Sequence, residues 1–330
     1  MHFKKQIPIA FSILFFIACT SNDEPIYVAE RIANIVAAST NPASDGTPSL
    51  EDLAAAGVRN VTGNQIVYEE AIATTNPPPT TLTELQDIID ASSSAGNNNL
   101  LKWSDEFDSP GTPSATKWTY DTGAGGWGNQ ESQHYTNRPE NVIVEDGLLK
   151  ITARKESYLG SNYTSARLKT QGKYSFTYGK IEVRAKLPTG GGTWPAIWML
   201  GVNFPTVGWP ACGEIDIMEH TGNNINKISS ALHNSSSSGN TVNVGYTTVA
   251  NATSEFHVYA VNWTPTRIEF SVDGTPFYTY NPTNKNVENW PFNKNQFIIL
   301  NVAMGGTLGG NISPNFTQST MEIDYVRVYQ

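Results

Sequence analysis

The chain has 330 residues, of which 15% are charged, with 27 glycines and 8 tryptophans, a composition that excludes a disordered chain and a coiled coil. Its 30 acidic residues outnumber its 21 basic ones and give a net charge of -9, so it lacks the basic surface that would bind the phosphates of nucleic acid. Cys19 and Cys212 are its only cysteines, too few for a disulfide framework or a cysteine-rich zinc site.

Residues 1–19 form the first predicted element. Lys4 and Lys5 precede an apolar run that ends at Cys19 and is shorter than the roughly 20 residues that span a bilayer. The segment resembles a bacterial lipoprotein signal, in which cleavage leaves the cysteine as the new first residue and a lipid is attached to its sulfur. The resemblance implies an exported protein anchored to the outer membrane, facing the cell surface or the periplasm. An ordinary secretory signal is the alternative.

Residues 20–99 are rich in Ala, Thr, Ser, Asn and Pro and contain two helix-like stretches, SLEDLAAAGV and TLTELQDIIDA. Thr81 followed three residues later by Glu84 is typical of a capping box. The apolar residues after Thr81 share one helical face, namely Leu82, Leu85, Ile88 and Ile89. We expect a small helical spacer that holds the rest of the chain away from the membrane; a helical module that binds a partner is the alternative.

The chain changes character near residue 100. All eight tryptophans follow that point, and the net charge is -7 before it but only -2 after it. Short runs rich in Val, Ile, Tyr, Phe and Thr then alternate with turn residues, which predicts strands at 141–144, 148–154, 180–187, 267–272, 277–280, 297–302 and 321–329. Many strands at regular spacing without a convincing helix indicate that 100–330 is an all-β domain, an antiparallel sandwich or jelly roll. Cys212 is then predicted to be a small buried residue without a disulfide partner.

The segment GEIDIMEH, which starts at Gly213, carries the candidate chemistry. In a regular strand Glu214 and Asp216 would share one face, and Glu219 would point to the other face, into the core. Burial of an unpaired carboxylate is costly. We therefore predict a β-bulge near Met218, which returns Glu219 to the face of the other two acids.

Three crowded carboxylates raise at least one carboxyl pKa, so one group can be ionised while another is protonated. Glycoside hydrolysis uses this arrangement. An exposed acidic strand is one alternative. A metal site that joins these acids to His220 or His233 is another.

GEIDIMEH is similar to the active-site strand of glycoside hydrolase family 16, in the bulged form of its laminarinases and agarases. The similarity covers nearly all of 101–330 and extends to the segments WSDEFD from Trp103, GNQESQHYT from Gly128, SARLKTQGKYSFTYGKIEVRAKLP from Ser165, TWPAIWML from Thr193, ALH ending at His233, and the terminal MEIDYVRVYQ. It implies a concanavalin A-like jelly roll with a concave substrate cleft and hydrolysis that retains anomeric configuration.

The resemblance also implies roles for the acids. Glu214 would be the nucleophile, Glu219 the general acid and then the general base, and Asp216 the carboxylate that orients Glu214 and tunes both. Such an enzyme needs no catalytic cofactor, and its two working carboxyls lie about 5 to 5.5 Å apart. We expect a monomer.

Trp194 and Trp198 fall on one face of a predicted strand, and we place that face in the cleft, because indole rings stack on the C–H faces of sugars. Trp209 is a third candidate for sugar binding. Burial in the core is the alternative for each of these tryptophans.

Three polar residues match family positions at the substrate. Asn129 and Arg167 would bond sugar hydroxyls, with a turn hydrogen bond and a surface ion pair as their alternatives. His233 would lie near Glu219 and hydrogen bond at the acid end of the site.

The resemblance implies one more site, a structural calcium on the convex side. Glu106, Gly147 and Asp324 match its positions, where one carboxylate and backbone carbonyls hold the ion. Oxygen ligands of this kind suit calcium.

Two classes of function follow from these residues. The first is an endo-acting β-1,3-glucanase that acts on laminarin-type polysaccharides; the second is a non-catalytic glucan-binding lectin, which would have no use for three crowded acids. A β-agarase or a mixed-linkage glucanase is the alternative within enzymes. A sulfated galactan is disfavoured as substrate because the predicted catalytic part is nearly neutral.

Overall fold

The computed structural model describes residues 31–37, 53, 56, 58, 72, 75, 77–96 and 100–330. Internal contacts divide the chain into two compact units, Met1–Ser93 and Ser94–Gln330, a division close to the boundary predicted near residue 100. The predicted signal and Cys19 lie outside the described residues. Within the described residues, no helix combines the length and the apolar character that crossing a membrane requires.

The first unit contains a helical stretch at 31–37 and the start of helix α1, Leu82–Gly96. The capping box is confirmed, because the Glu84 N–H donates to Thr81 Oγ1 at 3.2 Å and Glu84 Oε2 accepts the Thr81 N–H at 3.1 Å. The predicted apolar face is also confirmed. It packs in a small cluster whose buried members are Ile32, Ile35, Leu53, Ala56, Val58, Ile72, Leu85 and Ile89.

Residues 100–330 form an all-β unit, as predicted. Its strands in chain order are β1 Leu101–Asp105, β2 Thr119–Asp121, β3 Gln133–Tyr135, β4 Val142–Glu145, β5 Leu148–Tyr158, β6 Ser161–Ser165, β7 Arg167–Lys169, β8 Gly179–Lys186, β9 Thr193–Gly201, β10 Glu214–His220, β11 Lys227–His233, β12 Val244–Thr248, β13 His257–Trp263, β14 Ile268–Val272, β15 Thr275–Tyr280, β16 Gln296–Met304 and β17 Gln318–Tyr329. Two single-turn helices, α2 Phe204–Val207 and α3 Gly306–Gly309, interrupt them.

The strands form two sheets. The larger sheet has the order β15-β14-β13-β8-β17-β5-β6-β3, with β1 beside β17 and β4 beside β5; the smaller has the order β12-β11-β10-β9-β16-β7-β2. All pairs are antiparallel except β3 with β6. This is the predicted jelly-roll sandwich.

The core lies between the two sheets, as the alternation in the sequence requires. In β8, residues from Gly179 onward are alternately buried and half-buried, because side chains of a strand point to opposite faces in turn. The β14–β15 hairpin turns at Asp273 and Gly274, which have φ values of 50° and 75°. These values are those of the two-residue turn that an Asp-Gly pair favours. Cys212 is buried, as predicted.

Candidate active site

Strand β10 lies inside the smaller sheet, between β11 and β9, and carries the three acids. Against β9, Asp216 pairs with Trp198 and Met218 pairs with Ile197, so Ile217 is an extra residue. The predicted β-bulge is therefore confirmed. Both Ile217 and Met218 are buried in the core, and Glu219 returns to the face of Glu214 and Asp216. We call this face of the smaller sheet the cleft face.

Each of the two glutamates accepts one indole N–H. Trp194 Nε1 donates to Glu219 Oε1 at 3.0 Å, and Trp209 Nε1 donates to Glu214 Oε2 at 3.0 Å. A hydrogen bond to one carboxylate oxygen fixes the plane of the group and leaves the other oxygen for the reacting atoms. Two of the three tryptophans predicted to bind sugar therefore also hold the acids.

The direct contacts of His233 differ from the predicted hydrogen bond beside Glu219. Antiparallel pairing with β11 places His233 opposite Glu214, whereas Glu219 pairs with Ser229. His233 Nε2 lies 3.2 Å from Asp216 Oδ2 and 3.7 Å from Glu214 Oε1. The imidazole therefore contacts the other two acids directly, while its charge still lowers the pKa of Glu219.

The acids and His233 also bear on the metal alternative. Ligand atoms of Glu214, Asp216 and His233 lie within 4.8 Å of one another, the only such grouping among the residues that the structure describes. The Trp209 N–H already occupies one oxygen of Glu214, so hydrogen bonds account for part of this geometry without an ion.

Burial raises the pKa of Glu214, Asp216 and Glu219 above the usual carboxyl range. The Asp216 charge raises the pKa of both glutamates further, while the Trp194 N–H lowers that of Glu219. Because three adjacent buried carboxylates cannot all ionise near neutral pH, at least one keeps its proton. The cluster can therefore supply a proton donor and a nucleophile together.

Because the pKa values of the three carboxyls are raised, ionisation of the cluster lowers the stability of the fold at high pH. A carboxyl whose pKa is raised in the folded state stabilises the fold fully below its unfolded pKa, and this contribution is lost as the pH rises toward the folded pKa, which is about 8 for Asp216. Asp216→Asn should therefore raise the melting temperature at pH 8, and the gain should shrink toward pH 4. Thermal unfolding across this range, with Asp108→Asn on the exposed surface as control, measures it. A variant that melts below the wild type at pH 8 would contradict this sign.

Strand β9 presents its tryptophans as predicted. Ile197 and Met199 are buried in the core between the sheets, and Trp198 shares the cleft face because it pairs with Asp216. Trp198 Nε1 donates to Asn301 Oδ1 at 2.7 Å. Trp209 is 45% exposed, so its ring is open to a ligand beside Glu214.

Arg167 lies in β7, also on the cleft face. Its guanidinium lies 5.1 Å from the ring centroid of Trp127 and 4.7 Å from that of Trp198, and its Nε is 3.1 Å from Asp121 Oδ2. Its side chain is only 14% exposed. Arg167 is thus held between two indoles and is also in an ion pair with Asp121, as its alternative predicted, although that pair is largely buried and not on the open surface.

Asn129 lies in a turn and reaches the same region. Its backbone N–H bonds the Gly126 carbonyl at 2.8 Å, as the turn alternative predicted, and its Nδ2 donates to Glu131 Oε1 at 3.3 Å. A side-chain carbon on Gly306 would lie 2.8 Å from the Asn129 carbonyl oxygen and 3.3 Å from the Trp194 ring. Asn129 and Trp194 are therefore close neighbours across this glycine.

Three further residues of the site were not predicted from the sequence: Trp127, Glu131 and Tyr246. Trp127 and Glu131 enter the site through the contacts just described. Tyr246 is 56% exposed. It pairs with Ser229 of β11, and Ser229 in turn pairs with Glu219 of β10. Tyr246 therefore lies on the cleft face, two strands away from Glu219. Cross-strand pairing brings these residues together, and no local motif shows it.

The three residues predicted to bind calcium lie on the larger sheet and its turns. Arg327 donates two hydrogen bonds to Glu106, at 3.0 and 2.8 Å, and Arg184 bonds Asp324 at 2.6 Å. Asp324 sits where the pairing of β17 with β8 is shifted, and Gly147 forms the β4–β5 turn. Backbone carbonyls of a bulge and a turn are ligand types that calcium accepts, whereas the Glu106 carboxylate would be shared with Arg327.

A family model described as glycosyl hydrolases family 16 matches residues 129–327. A β-glucanase from Rhodothermus marinus is 45% identical over 243 residues, which cover 70% of this chain and 85% of that protein. A crystal structure of a laminarinase from the same organism is similar with a TM-score of 0.68 and 45% identity, over 70% of this chain and 97% of that one. A laminarinase from a Flavobacterium species gives a TM-score of 0.66 and 44% identity, over 70% of this chain and all of that one.

Proposed function

The chain belongs to glycosyl hydrolase family 16, and on this premise we propose that it cleaves β-1,3-glucosidic bonds within laminarin-type glucans and retains anomeric configuration. The observation that carries the proposal is the bulge of β10, which brings Glu214, Asp216 and Glu219 to one face. The laminarinases and the β-glucanase to which the chain is similar support the choice of substrate.

In the first step, protonated Glu219 gives its proton to the glycosidic oxygen while Glu214 attacks the anomeric carbon. The glycosidic bond breaks, the leaving sugar departs with the proton, and a covalent glycosyl-enzyme forms. In the second step, Glu219, now a carboxylate, takes a proton from water as the water oxygen attacks the anomeric carbon and displaces Glu214. Two inversions give net retention.

The neighbours of each acid suit this division of roles. Trp209 and His233 both contact Glu214, and donors around a carboxylate favour its ionised form. Glu219 accepts one hydrogen bond, from Trp194, while the Asp216 charge raises the pKa of both glutamates. The additional neighbour at Glu214 therefore supports Glu214 as the nucleophile and Glu219 as the acid.

Endo-cleavage requires sugars to bind on both sides of the acids, and the cleft face offers contacts on both sides. On the β9-β16-β7 side stand Trp198 and Arg167, and on the β11-β12 side stands Tyr246. Strands are about 4.8 Å apart, so each strand crossed corresponds to about one sugar unit. We therefore propose that the glucan runs across the strands of the smaller sheet.

The direct test is release of reducing ends from laminarin, mixed-linkage glucan, agarose and carrageenan by the purified protein. We expect laminarin to be cleaved fastest and to yield oligosaccharides of several lengths early in the reaction. Preference for agarose would instead support the agarase alternative. Binding of laminarin without release of reducing ends would support the lectin and overturn the proposal.

We also propose a structural calcium held by the Glu106 carboxylate and by backbone carbonyls of Gly147 and Asp324. Chelation should lower the melting temperature without abolishing activity at low temperature, because the site is not on the cleft face. Differential scanning calorimetry with EDTA, and with calcium added back, measures this. An unchanged melting temperature would count against the ion, and loss of activity at low temperature would favour a metal at Glu214, Asp216 and His233.

For the amino terminus we propose export and anchoring through a lipid on Cys19. The support is the sequence alone, with its two lysines, short apolar run and cysteine. Cys19→Ala should release the protein from the membrane fraction of the producing cell, and mass spectrometry of the wild type should find lipid on the first residue. A variant as firmly membrane-associated as the wild type would contradict the anchor.

A further inference from the structure

Glu131 is a half-buried carboxylate beside the sugar-binding part of the cleft, and it takes no part in the two chemical steps. It accepts three hydrogen bonds, from Gln133 Nε2 at 2.6 Å, from the Tyr135 hydroxyl at 3.2 Å and from Asn129 Nδ2 at 3.3 Å. A carboxylate in contact with three donors acts as an acceptor only. Its charge therefore fixes the direction of each of these bonds.

One branch of hydrogen bonds runs from Glu131 to the indole of Trp198. Because the Tyr135 hydroxyl donates to Glu131, its oxygen is available to accept Asn301 Nδ2 at 3.1 Å. With its amide N–H directed at Tyr135, Asn301 presents Oδ1 to the Trp198 N–H at 2.7 Å. The three hydrogen bonds of this branch are therefore all donated in the same direction, from Trp198 to Asn301, from Asn301 to Tyr135 and from Tyr135 to Glu131.

A second branch fixes the backbone beneath the cleft. Gln133 donates its amide to Glu131, so its Oε1 accepts the backbone N–H of Met304 at 2.7 Å. Gln133 is fully buried. The end of β16 is therefore tied to Glu131 as well.

The third branch is short and ends at the candidate sugar ligand. Asn129 donates from Nδ2 to Glu131, so its Oδ1 is not used in that hydrogen bond. An amide whose N–H group is engaged can offer its oxygen to a hydroxyl donor. Asn129 would then bind sugar as an acceptor.

We propose that Glu131 is a positioning residue for glucan binding, which sets Asn129 as an acceptor toward a sugar hydroxyl and holds the Trp198 ring in place. The inference rests on the proposed function, since it assigns Asn129 and Trp198 to the substrate. It adds a residue that acts through others and does not touch the reacting atoms.

Glu131→Gln tests the proposal with almost no change of shape. An amide has one acceptor oxygen and two N–H donors, so at least one of the three bonds is lost or opposed. We expect KM for laminari-oligosaccharides that fill the cleft to rise about tenfold, which corresponds to about 1.4 kcal/mol, with kcat changed by less than about threefold. Glu322→Gln, which removes the carboxylate paired with Lys186 on the larger sheet, is the matched control and should leave both constants unchanged.

If the wild type fails to cleave laminarin, the proposed function is wrong; the comparison between wild type and variant judges Glu131 separately. An unchanged KM well below the melting temperature, or a fall in kcat alone, would overturn the positioning role. If Glu131→Gln does not fold, Tyr135→Phe tests the same branch, because it removes the hydroxyl that joins Glu131 to Asn301 and keeps the ring. It should raise KM by a similar factor, and an unchanged KM would again overturn the inference.

Discussion

Glu219→Ala is expected to reduce cleavage of polysaccharide by a factor on the order of 10² to 10⁴ while largely sparing kcat/KM for substrates with activated aryl leaving groups, because kcat/KM reports formation of the glycosyl-enzyme and not its hydrolysis. A sugar is a poor leaving group and needs the proton of Glu219, whereas a nitrophenolate departs without one. Steady-state kinetics on laminarin and on an aryl β-glycoside, measured with the same enzyme preparations, separate the two effects. Glu322→Ala, on the larger sheet, is the control and should be active on both.

Azide should then rescue the Glu219→Ala variant. The small anion enters the space left by the side chain and attacks the covalent glycosyl-enzyme from the face that water would use, giving a β-glycosyl azide. Equal loss on polysaccharide and aryl substrates, with no rescue by azide, would contradict the acid/base role of Glu219.

Glu214→Ala is expected to abolish turnover of every substrate, because no leaving group is good enough to replace the attacking carboxylate. Activated aryl substrates should therefore be lost together with laminarin, in contrast to Glu219→Ala. The fold should survive, because Glu214 lies on the cleft face and the neighbouring Ile215 remains in the core. Circular dichroism and thermal unfolding verify this before the kinetics are compared.

Azide distinguishes the roles of the two glutamates by stereochemistry. In Glu214→Ala it would enter beneath the sugar and attack the substrate directly, giving the α-glycosyl azide. A β product from Glu214→Ala together with an α product from Glu219→Ala would show that the roles are reversed.

The bulge of β10 shows how far the sequence predicts the candidate site. Strict alternation would have buried Glu219, and the cost of a buried, unpaired carboxylate made one extra residue the simplest solution. That argument uses only residues within one strand. The strands, the capping box at Thr81 and the β14–β15 turn were predictable for the same reason, since each depends on neighbours in the chain.

Contacts between distant strands were not predictable in this way. The contacts of His233 with Asp216 and Glu214 were not predicted, because the motif ALH alone does not show that His233 pairs with Glu214. Trp127 was missed because it enters the site only by lying over Arg167. Glu131 was missed because its role depends on Tyr135 and Asn301, which are 166 residues apart in the chain.

The configuration of the newly formed reducing end tests the central claim most directly. In a retaining reaction by Glu214 and Glu219, proton NMR of the wild type with a laminari-oligosaccharide should first show the β anomer, and the α anomer should appear only as mutarotation proceeds. Early appearance of the α anomer would mean direct attack by water, and it would contradict a nucleophilic role for Glu214.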